Sequence, residues 1–216
     1  MAMTESHGTP RGPYAKTAAV RGRVLAAAWV LFAETGYRAA TMKEIAARAG
    51  ISERGLVHHF ASKEEVLAGV LAGYDSHVGG LLPKGSGMPA LRQLVDVIAS
   101  DMSSNHVVEL YAILSAEAAD PSHPGHEYYA RRYVTFRQYA AQQFATFLSA
   151  QPLGSAGVAD PEEFAVAFTA LMDGLQTQWL YDRGTTIDAA AVLHRFLDMR
   201  EREVLHRQNA SLSADD

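Results

Sequence analysis

Two very short predicted helices joined by a glycine turn, within residues 41–67, constrain the fold more than any other part of the sequence. Thr41 and Glu44 have the spacing of a capping box, in which each side chain accepts a hydrogen bond from the other residue's backbone. Gly50 stands where a helix end needs left-handed backbone, and Ser52 begins a second helix of about two turns. This order predicts a helix-turn-helix unit, whose second helix enters the major groove of DNA.

The distribution of charge agrees with a DNA-binding segment at the N-terminus. The chain of 216 residues has a net charge of −5, but residues 1–66 hold nine Lys and Arg against six Asp and Glu. Residues 67–216 hold the other ten basic and eighteen acidic residues. The basic surplus therefore lies in the segment where contacts to phosphate groups would require it.

The composition excludes several classes of site. The sequence has no cysteine, so disulfide bonds, thiolate metal sites and a cysteine nucleophile are not predicted. Abundant alanine and leucine favour an all-α fold. Residues 1–13 are polar, and no apolar run reaches about 18 residues, so we expect neither a signal peptide nor a membrane span. The expected location is cytoplasmic.

Apolar periodicity and turn residues divide the chain into four parts. We expect a disordered N-terminal arm over residues 1–13, a helix-turn-helix domain over 14–61, a larger helical domain over 62–208, and a frayed tail over 209–216. Gly36 is predicted to end the first helix. The predicted long helices cover residues 14–35, 62–82, 89–103, 105–119, 126–150, 160–182 and 188–207.

A second pattern runs in unbroken register from Arg23 to Leu67. It consists of Phe32, Gly36-Tyr37, Thr41, Ile45-Ala46, Ala49-Gly50-Ile51-Ser52, Gly55-Leu56, His59-Phe60 and Lys63-Glu64. In these residues the chain resembles the DNA-binding domain of the TetR family of bacterial transcriptional regulators. The family usually has tyrosine at the position of Val57, where a valine can contact a thymine methyl instead.

The helix-turn-helix interpretation assigns candidate DNA contacts. Exposed positions of the second helix, Arg54 above all, are expected to meet base edges. Gly55 would allow a close approach to the sugar-phosphate backbone, and Lys63 at a helix N-terminus would hold a phosphate. The full predicted set is Arg23, Thr41, Lys43, Ser52, Glu53, Arg54, Gly55, Val57, His58, His59 and Lys63.

The predicted helix over residues 126–150 carries aromatic side chains on several of its faces. It is either a core helix packed on two sides or one wall of a cavity for an apolar ligand. The family resemblance implies a small effector bound in this region. Candidate effector contacts are Tyr111, Leu114, Glu117, Tyr133, Phe136, Met172, Asp173 and Gln176. His123 and His126 are interpreted as part of a surface loop, not as a metal site.

Two amphipathic helices after Asp160 form a predicted αα-hairpin. The resemblance implies that two such hairpins, one from each subunit, make the four-helix interface of a homodimer. The predicted interface residues are Phe164, Phe168, Leu171, Leu175, Trp179, Val192, Phe196 and Met199.

Together these features predict a dimeric, ligand-responsive repressor. It would bind palindromic double-stranded DNA and be released by a small, largely apolar effector, and the repressor sign comes from the resemblance. Two alternatives stay open: a helical dimeric ligand-binding protein that no longer reads DNA, and an enzyme that uses the C-terminal cavity. No HExxH, GxSxG or phosphate-binding glycine motif is present, so we expect no enzyme, cofactor or metal.

Overall fold

Every regular element that the structure describes is an α helix, which confirms the all-α fold. The structure, a computed structural model, describes residues 13–81, 83, 85–103, 107–151, 159–182 and 187–212. Its helices are α1 (Pro13–Ala39), α2 (Met42–Arg48), α3 (Glu53–His59), α4 (Lys63–Leu81), α5 (Met88–Ser103), α6 (Val107–Glu117), α7 (His126–Ser149), α8 (Pro161–Asp182) and α9 (Ala189–Leu212).

The local signals of the helix-turn-helix unit are all present. The Thr41 side chain accepts from the backbone of Glu44, and Glu44 accepts from the backbone of Thr41, so the predicted capping box forms. Gly50 adopts a φ of 68° between α2 and α3. Ser52 caps α3, because its Oγ accepts a hydrogen bond of 3.0 Å from the backbone N–H of Gly55.

The end of α1 differs from the prediction that the helix stops at residue 35. Helical residues continue to Ala39, but Gly36 interrupts them with φ 80° and ψ 170°. Only glycine adopts this backbone conformation readily. The prediction was therefore correct about the position of the break and wrong about the last turn, which resumes beyond it.

Two hydrophobic clusters fill the described part of the chain. The first joins α1–α4 to α6 and the start of α7, so that Leu110, Leu114 and Tyr129 pack in the same cluster as Phe32 and Leu56. The first cluster thus contains residues from both sides of the predicted domain boundary between residues 61 and 62. Helix α1, against which α2 and α3 pack, contacts α6 as well as α4.

Stacked phenylalanines from three helices form the centre of the second cluster. The rings of Phe144 and Phe164 lie 4.1 Å apart, and Phe164 also stacks on Phe168 and Phe196. Helices α7 and α8 are antiparallel, since Phe144 meets Phe164 while Tyr133 meets Asp173. This pairing forms one side of the space described below.

Several predictions about loops and ends need correction or lie outside the described residues. His123 was expected on the surface but is only 5% exposed, with its ring 4.9 Å from that of Tyr37. Helix α9 continues to Leu212, into the predicted frayed tail. The predicted arm lies outside the described residues except for Pro13, which begins α1. In the described ranges, no helix is both long and apolar enough to cross a membrane.

Candidate nucleic-acid interface and internal cavity

Helix α3 presents a polar outer face and buries the opposite one. Leu56 is fully buried, whereas Glu53, Arg54 and His58 are exposed. Val57 is half exposed as well. One edge of this short helix is therefore accessible, and it consists of Arg54, Val57 and His58. The opposite side of the helix packs into the protein through Leu56.

The structure explains why position 55 is a glycine, which the sequence alone did not show. A Cβ at this position would lie 3.2 Å from the Oγ of Ser52, the atom that caps α3. Glycine therefore allows the cap to approach closely. Because glycine has no side chain, it would also let a sugar-phosphate backbone approach α3 closely at this position.

Arginines of α1 fasten the helix-turn-helix unit. Arg21 donates to the backbone carbonyl of His59, and its guanidinium carbon lies 3.9 Å from the centre of the Phe60 ring. Arg23 is exposed, and its Nε lies 3.4 Å from the carbonyl oxygen of Ala49. Arg23 therefore reaches from α1 to the turn that precedes α3.

Lys63 has a different role from the predicted phosphate contact. Its ammonium donates to the carbonyl oxygens of Tyr37 and Ala40, each at 2.8 Å, and lies 4.3 Å from the centre of the Tyr37 ring. These carbonyls follow the break in α1, where backbone acceptors lack helical partners. Lys63 therefore caps the end of α1 in this structure, and its contact with a DNA phosphate stays a prediction.

The other predicted DNA contacts lie around α2 and α3. Thr41 and Ser52 are exposed cap residues whose oxygen atoms already serve the helix ends. Lys43 is exposed on α2, and His59 is partly buried at the end of α3. Arg23 is exposed but bonds to Ala49, the C-cap residue of α2. The predicted contacts that are exposed without a capping role are Lys43, Glu53, Arg54, Val57 and His58.

A cavity of about 560 Å³ lies between α4, α5, α6, α7 and α8. Its volume falls in the range of small-molecule sites in proteins. Five predicted effector contacts line it: Tyr111, Tyr133, Phe136, Met172 and Gln176. The effector role of these residues stays a prediction.

One end of the cavity carries a satisfied polar network that the sequence analysis missed. Arg132 lies 3.3 Å from both the Oδ1 of Asp75 and the hydroxyl of Tyr74. The hydroxyl of Tyr128 donates to the same Asp75 oxygen at 2.6 Å. In the sequence, the indication of this network is the pair of arginines among tyrosines in EYYARRY. Periodicity alone does not predict that one of these arginines contacts Asp75.

Asp173 lies behind the cavity wall and holds a lining residue. The hydroxyl of Tyr133 donates to its Oδ2 at 2.8 Å. Burial raises the pKa of Asp173, and this outweighs the Tyr133 hydrogen bond and the nearby Arg132, which both lower it. Burial and the charge of Asp173 likewise raise the pKa of Tyr111. Burying the carboxyl group of Asp173 therefore costs free energy, because the group loses its contact with water.

Leu114 and Glu117 do not line the cavity, which corrects two of the predicted effector contacts. Leu114 is fully buried in the first cluster. The carboxylate of Glu117 accepts from the backbone N–H of Tyr37 at 2.7 Å, directly after the break at Gly36. Glu117 appeared to be a polar residue at an apolar position because its partners lie 80 residues earlier in the chain.

Helix α6 therefore connects the cavity to the helix-turn-helix unit. Tyr111 lines the cavity, and Glu117, six residues later, lies about 9 Å further along the helix. A second contact between the same regions joins Arg38 to Asp120, just beyond α6. A displacement of α6 would be transmitted to the end of α1 without passing through α4.

The predicted dimer residues divide by their surroundings. Phe164, Phe168 and Leu175 are buried in the protomer's own second cluster, so their side chains are not available to a partner. Leu171, Trp179 and Phe196 are partly buried against the same cluster. Val192 and Met199 are exposed on α9. The outer face of this hairpin also exposes Val166 and Tyr181 on α8.

No group of three or more His, Asp or Glu side chains suited to a metal ion occurs among the described residues. Among the polar groups that the structure brings together are the cavity network and the contacts that connect α6 to α1.

Known proteins similar to this chain resemble it most clearly in the N-terminal part. The family model described as "Bacterial regulatory proteins, tetR family" matches residues 24–70. The transcriptional repressor KstR2 of Rhodococcus jostii is 35% identical over 103 residues, 48% of this chain and 45% of that protein. The transcriptional activator FasR of Mycolicibacterium smegmatis is 47% identical over 62 residues, 29% of this chain and 27% of that protein. The chain thus spans less than half the length of these curated relatives.

Solved structures extend the similarity to the whole fold. A TetR-family transcriptional regulator from Rhodococcus sp. is 25% identical, with a TM-score of 0.65 over 84% of this chain and 98% of that one. NalD of Pseudomonas aeruginosa, a repressor of a multidrug efflux pump, shares the fold at 20% identity, with a TM-score of 0.62 over 87% of this chain and 96% of that one. The N-terminal match, the formed helix-turn-helix unit and the shared helical fold lead to one conclusion: the chain belongs to the TetR family of bacterial regulatory proteins.

Proposed function

We propose that the protein is a ligand-responsive transcriptional repressor that binds a palindromic operator as a homodimer in the bacterial cytoplasm. The observation that carries this proposal is the exposed edge of α3, formed by Arg54, Val57 and His58 on a helix fixed by its cap and by Leu56. A helix of seven residues reads few base pairs, so a two-fold dimer is needed for a specific site.

Repression rather than activation is supported by KstR2 and NalD, which are both named repressors, whereas FasR is named an activator. An effector acts by favouring one arrangement of the two recognition helices over another. The cavity is placed to exert this effect, because α6 lines it and also holds the end of α1 through Glu117. Ligand binding would thereby change the position of the helix-turn-helix unit relative to the dimer.

DNA binding should be tested by titrating the protein against a fluorescent duplex from the region upstream of its own gene. We expect the affinity to fall steeply as salt rises, because each phosphate contact releases a counterion. Arg54→Ala should weaken binding roughly 10-fold to 100-fold, the size of one good contact to a base pair.

The matched control is Arg131→Ala on α7, which removes the same charge from a residue that is more than two-thirds exposed. It should leave the affinity in the absence of ligand within about 2-fold, since long-range electrostatics is screened at physiological salt. An affinity that does not change with salt, or an Arg54 variant that matches the control, would contradict the proposal and favour a ligand-binding protein that does not read DNA.

A further inference from the structure

The cavity contains polar atoms that nothing in the described protein satisfies. The Oε1 of Gln176 and the hydroxyl of Tyr139 are buried without a hydrogen-bond partner, and both residues line the cavity. The Oδ1 of Asp173 is also buried without a partner, while its other oxygen receives the Tyr133 hydroxyl. Buried polar groups in proteins are rarely left in this state, because desolvation is then uncompensated.

These atoms are not spread evenly around the cavity. Asp173 and Gln176 are three residues apart on α8 and therefore lie on the same side of that helix. Because α7 runs antiparallel to α8, this pair lies beside Tyr133, whereas Tyr139 lies about 9 Å further along α7. Of these two residues, Gln176 lines the cavity and Asp173 lies behind the part of the wall that Tyr133 forms.

The basic groups at the cavity have acidic partners. Arg132 is paired with Asp75, and Arg131 lies 3.8 Å from Glu127 and is mostly exposed. Asp173, in contrast, has no basic side chain within ion-pair distance among the described residues. A ligand carboxylate would therefore meet the unsatisfied oxygen of Gln176 with a buried carboxyl group behind the wall, and no unpaired arginine would compensate its charge.

Apolar side chains occupy the remainder of the wall, including Leu94, Ile98, Val108, Phe136 and Met172. A molecule that fills the cavity therefore needs an apolar body, and its polar end must supply the hydrogen that the acceptors lack. Aromatic rings of Tyr133 and Phe136 beside this end also favour a cationic group over an anionic one.

We infer that the cavity binds an apolar molecule with a hydrogen-bond-donating end group, an ammonium or a hydroxyl, which Gln176 receives in front of the buried carboxyl group of Asp173. This inference rests on the proposed function only in treating the cavity as the effector site. It assigns Asp173 as the residue that selects against carboxylate ligands.

The test uses three probes with the same eight-carbon chain: octylamine, octan-1-ol and octanoate. Their affinities for the full-length protein are measured by isothermal titration calorimetry at neutral pH. We expect octylamine and octan-1-ol each to bind at least 10-fold more tightly than octanoate. Binding of octanoate as tight as that of either donor, or no binding of octylamine or octan-1-ol at millimolar concentrations, would overturn the inference.

The variant Asp173→Asn distinguishes the two donors. It removes the charge behind the cavity wall and keeps the shape, so octylamine should lose about 10-fold to 100-fold in affinity, because its ammonium loses the attraction of a buried carboxylate several Å away. Octan-1-ol should change by less than about 3-fold, because it carries no charge and the amide oxygen of Gln176 still accepts from its hydroxyl. The control Glu163→Gln removes one carboxylate from an exposed position in the first turn of α8 and should change neither affinity.

Folding of the variant is checked by its thermal unfolding, and Gln176→Leu provides a second variant. Gln176→Leu should weaken both donors at least 3-fold, because it removes an acceptor without changing charge. If both variants fold and neither alters the binding of octylamine, the inference is wrong.

DNA binding measured on the same samples separates this inference from the proposed function. Tight binding of octylamine to a protein that does not bind DNA would support the ligand class and refute the repressor. Release of bound DNA by octanoate but not by octylamine would support the repressor and refute the ligand class.

Discussion

Replacing Gly36 by alanine should lower the free energy of unfolding by about 3 kcal/mol or more, combining backbone strain with the loss of a hydrogen bond to a charged acceptor. Gly36 has φ 80° and ψ 170°, a combination that other residues adopt only with strain. An added Cβ would also overlap the Oε1 of Glu117, the carboxylate that receives the backbone N–H of Tyr37. The substitution would therefore disturb the contact between α6 and the end of α1.

The control is Gly22→Ala, in the same helix. A Cβ at Gly22 meets no atom within 4 Å, and alanine favours a helix interior over glycine by up to about 1 kcal/mol. Urea unfolding at one fixed protomer concentration should therefore show Gly22→Ala as neutral or stabilised and Gly36→Ala as strongly destabilised. Equal stabilities for the two variants would contradict the role assigned to Gly36.

Replacing Met199 by glutamate should convert a dimer into monomers and weaken the dimer at least 100-fold, the scale of a charge placed in an apolar interface. Met199 is 65% exposed on α9, and Val192 lies two turns earlier on the same helix. Val166 and Tyr181, the latter 90% exposed, are further apolar side chains exposed on α8, the other helix of the hairpin. A surface of this kind on the outer side of the hairpin is where we expect the partner subunit.

Sedimentation velocity at micromolar concentration measures this effect. The control Val134→Glu adds the same charge at a valine of α7 that is 46% exposed, away from the hairpin, and it should stay dimeric. The Met199 variant should also lose operator affinity, since one short recognition helix holds a site poorly. If the Met199→Glu protein sediments like the wild-type dimer, this surface of α9 is not part of the dimer interface.

The helix-turn-helix unit could be predicted from the sequence because its signals are local. Thr41 with Glu44, Gly50 and Ser52 each act within a few residues, and the structure contains all of the corresponding caps and turns. The family resemblance in the same segment is confirmed by the match over residues 24–70. Local chemistry and the pattern of the family thus gave the same result.

The roles of Lys63 and Glu117 could not be predicted because their partners are distant in sequence. Lys63 at the start of a helix suggested a phosphate site, yet its ammonium bonds carbonyls 23 and 26 residues earlier. Glu117 suggested a ligand contact, yet it bonds a backbone N–H 80 residues away. Neither arrangement leaves a periodic signal in the sequence.

The dimer residues show a related limit of periodicity. The stripe that contains Phe164, Phe168 and Leu175 is apolar because it faces the protomer's own core. Periodicity identifies the buried side of a helix but does not say whether the same chain or a second copy covers it. The side that we now expect to meet a partner is less apolar, and Val166 and Tyr181 on it were not among the predicted interface residues.

The most direct test of the account is selection of binding sites from a pool of random duplexes with the unmodified protein. Two α3 helices related by a two-fold axis predict an inverted repeat whose half-site centres lie about one helical turn, roughly 10 base pairs, or a multiple of it apart. Two protomers should bind each selected duplex. Enrichment of no sequence, or of an isolated half-site bound by one protomer, would contradict the central claim that this protein reads DNA as a symmetric dimer.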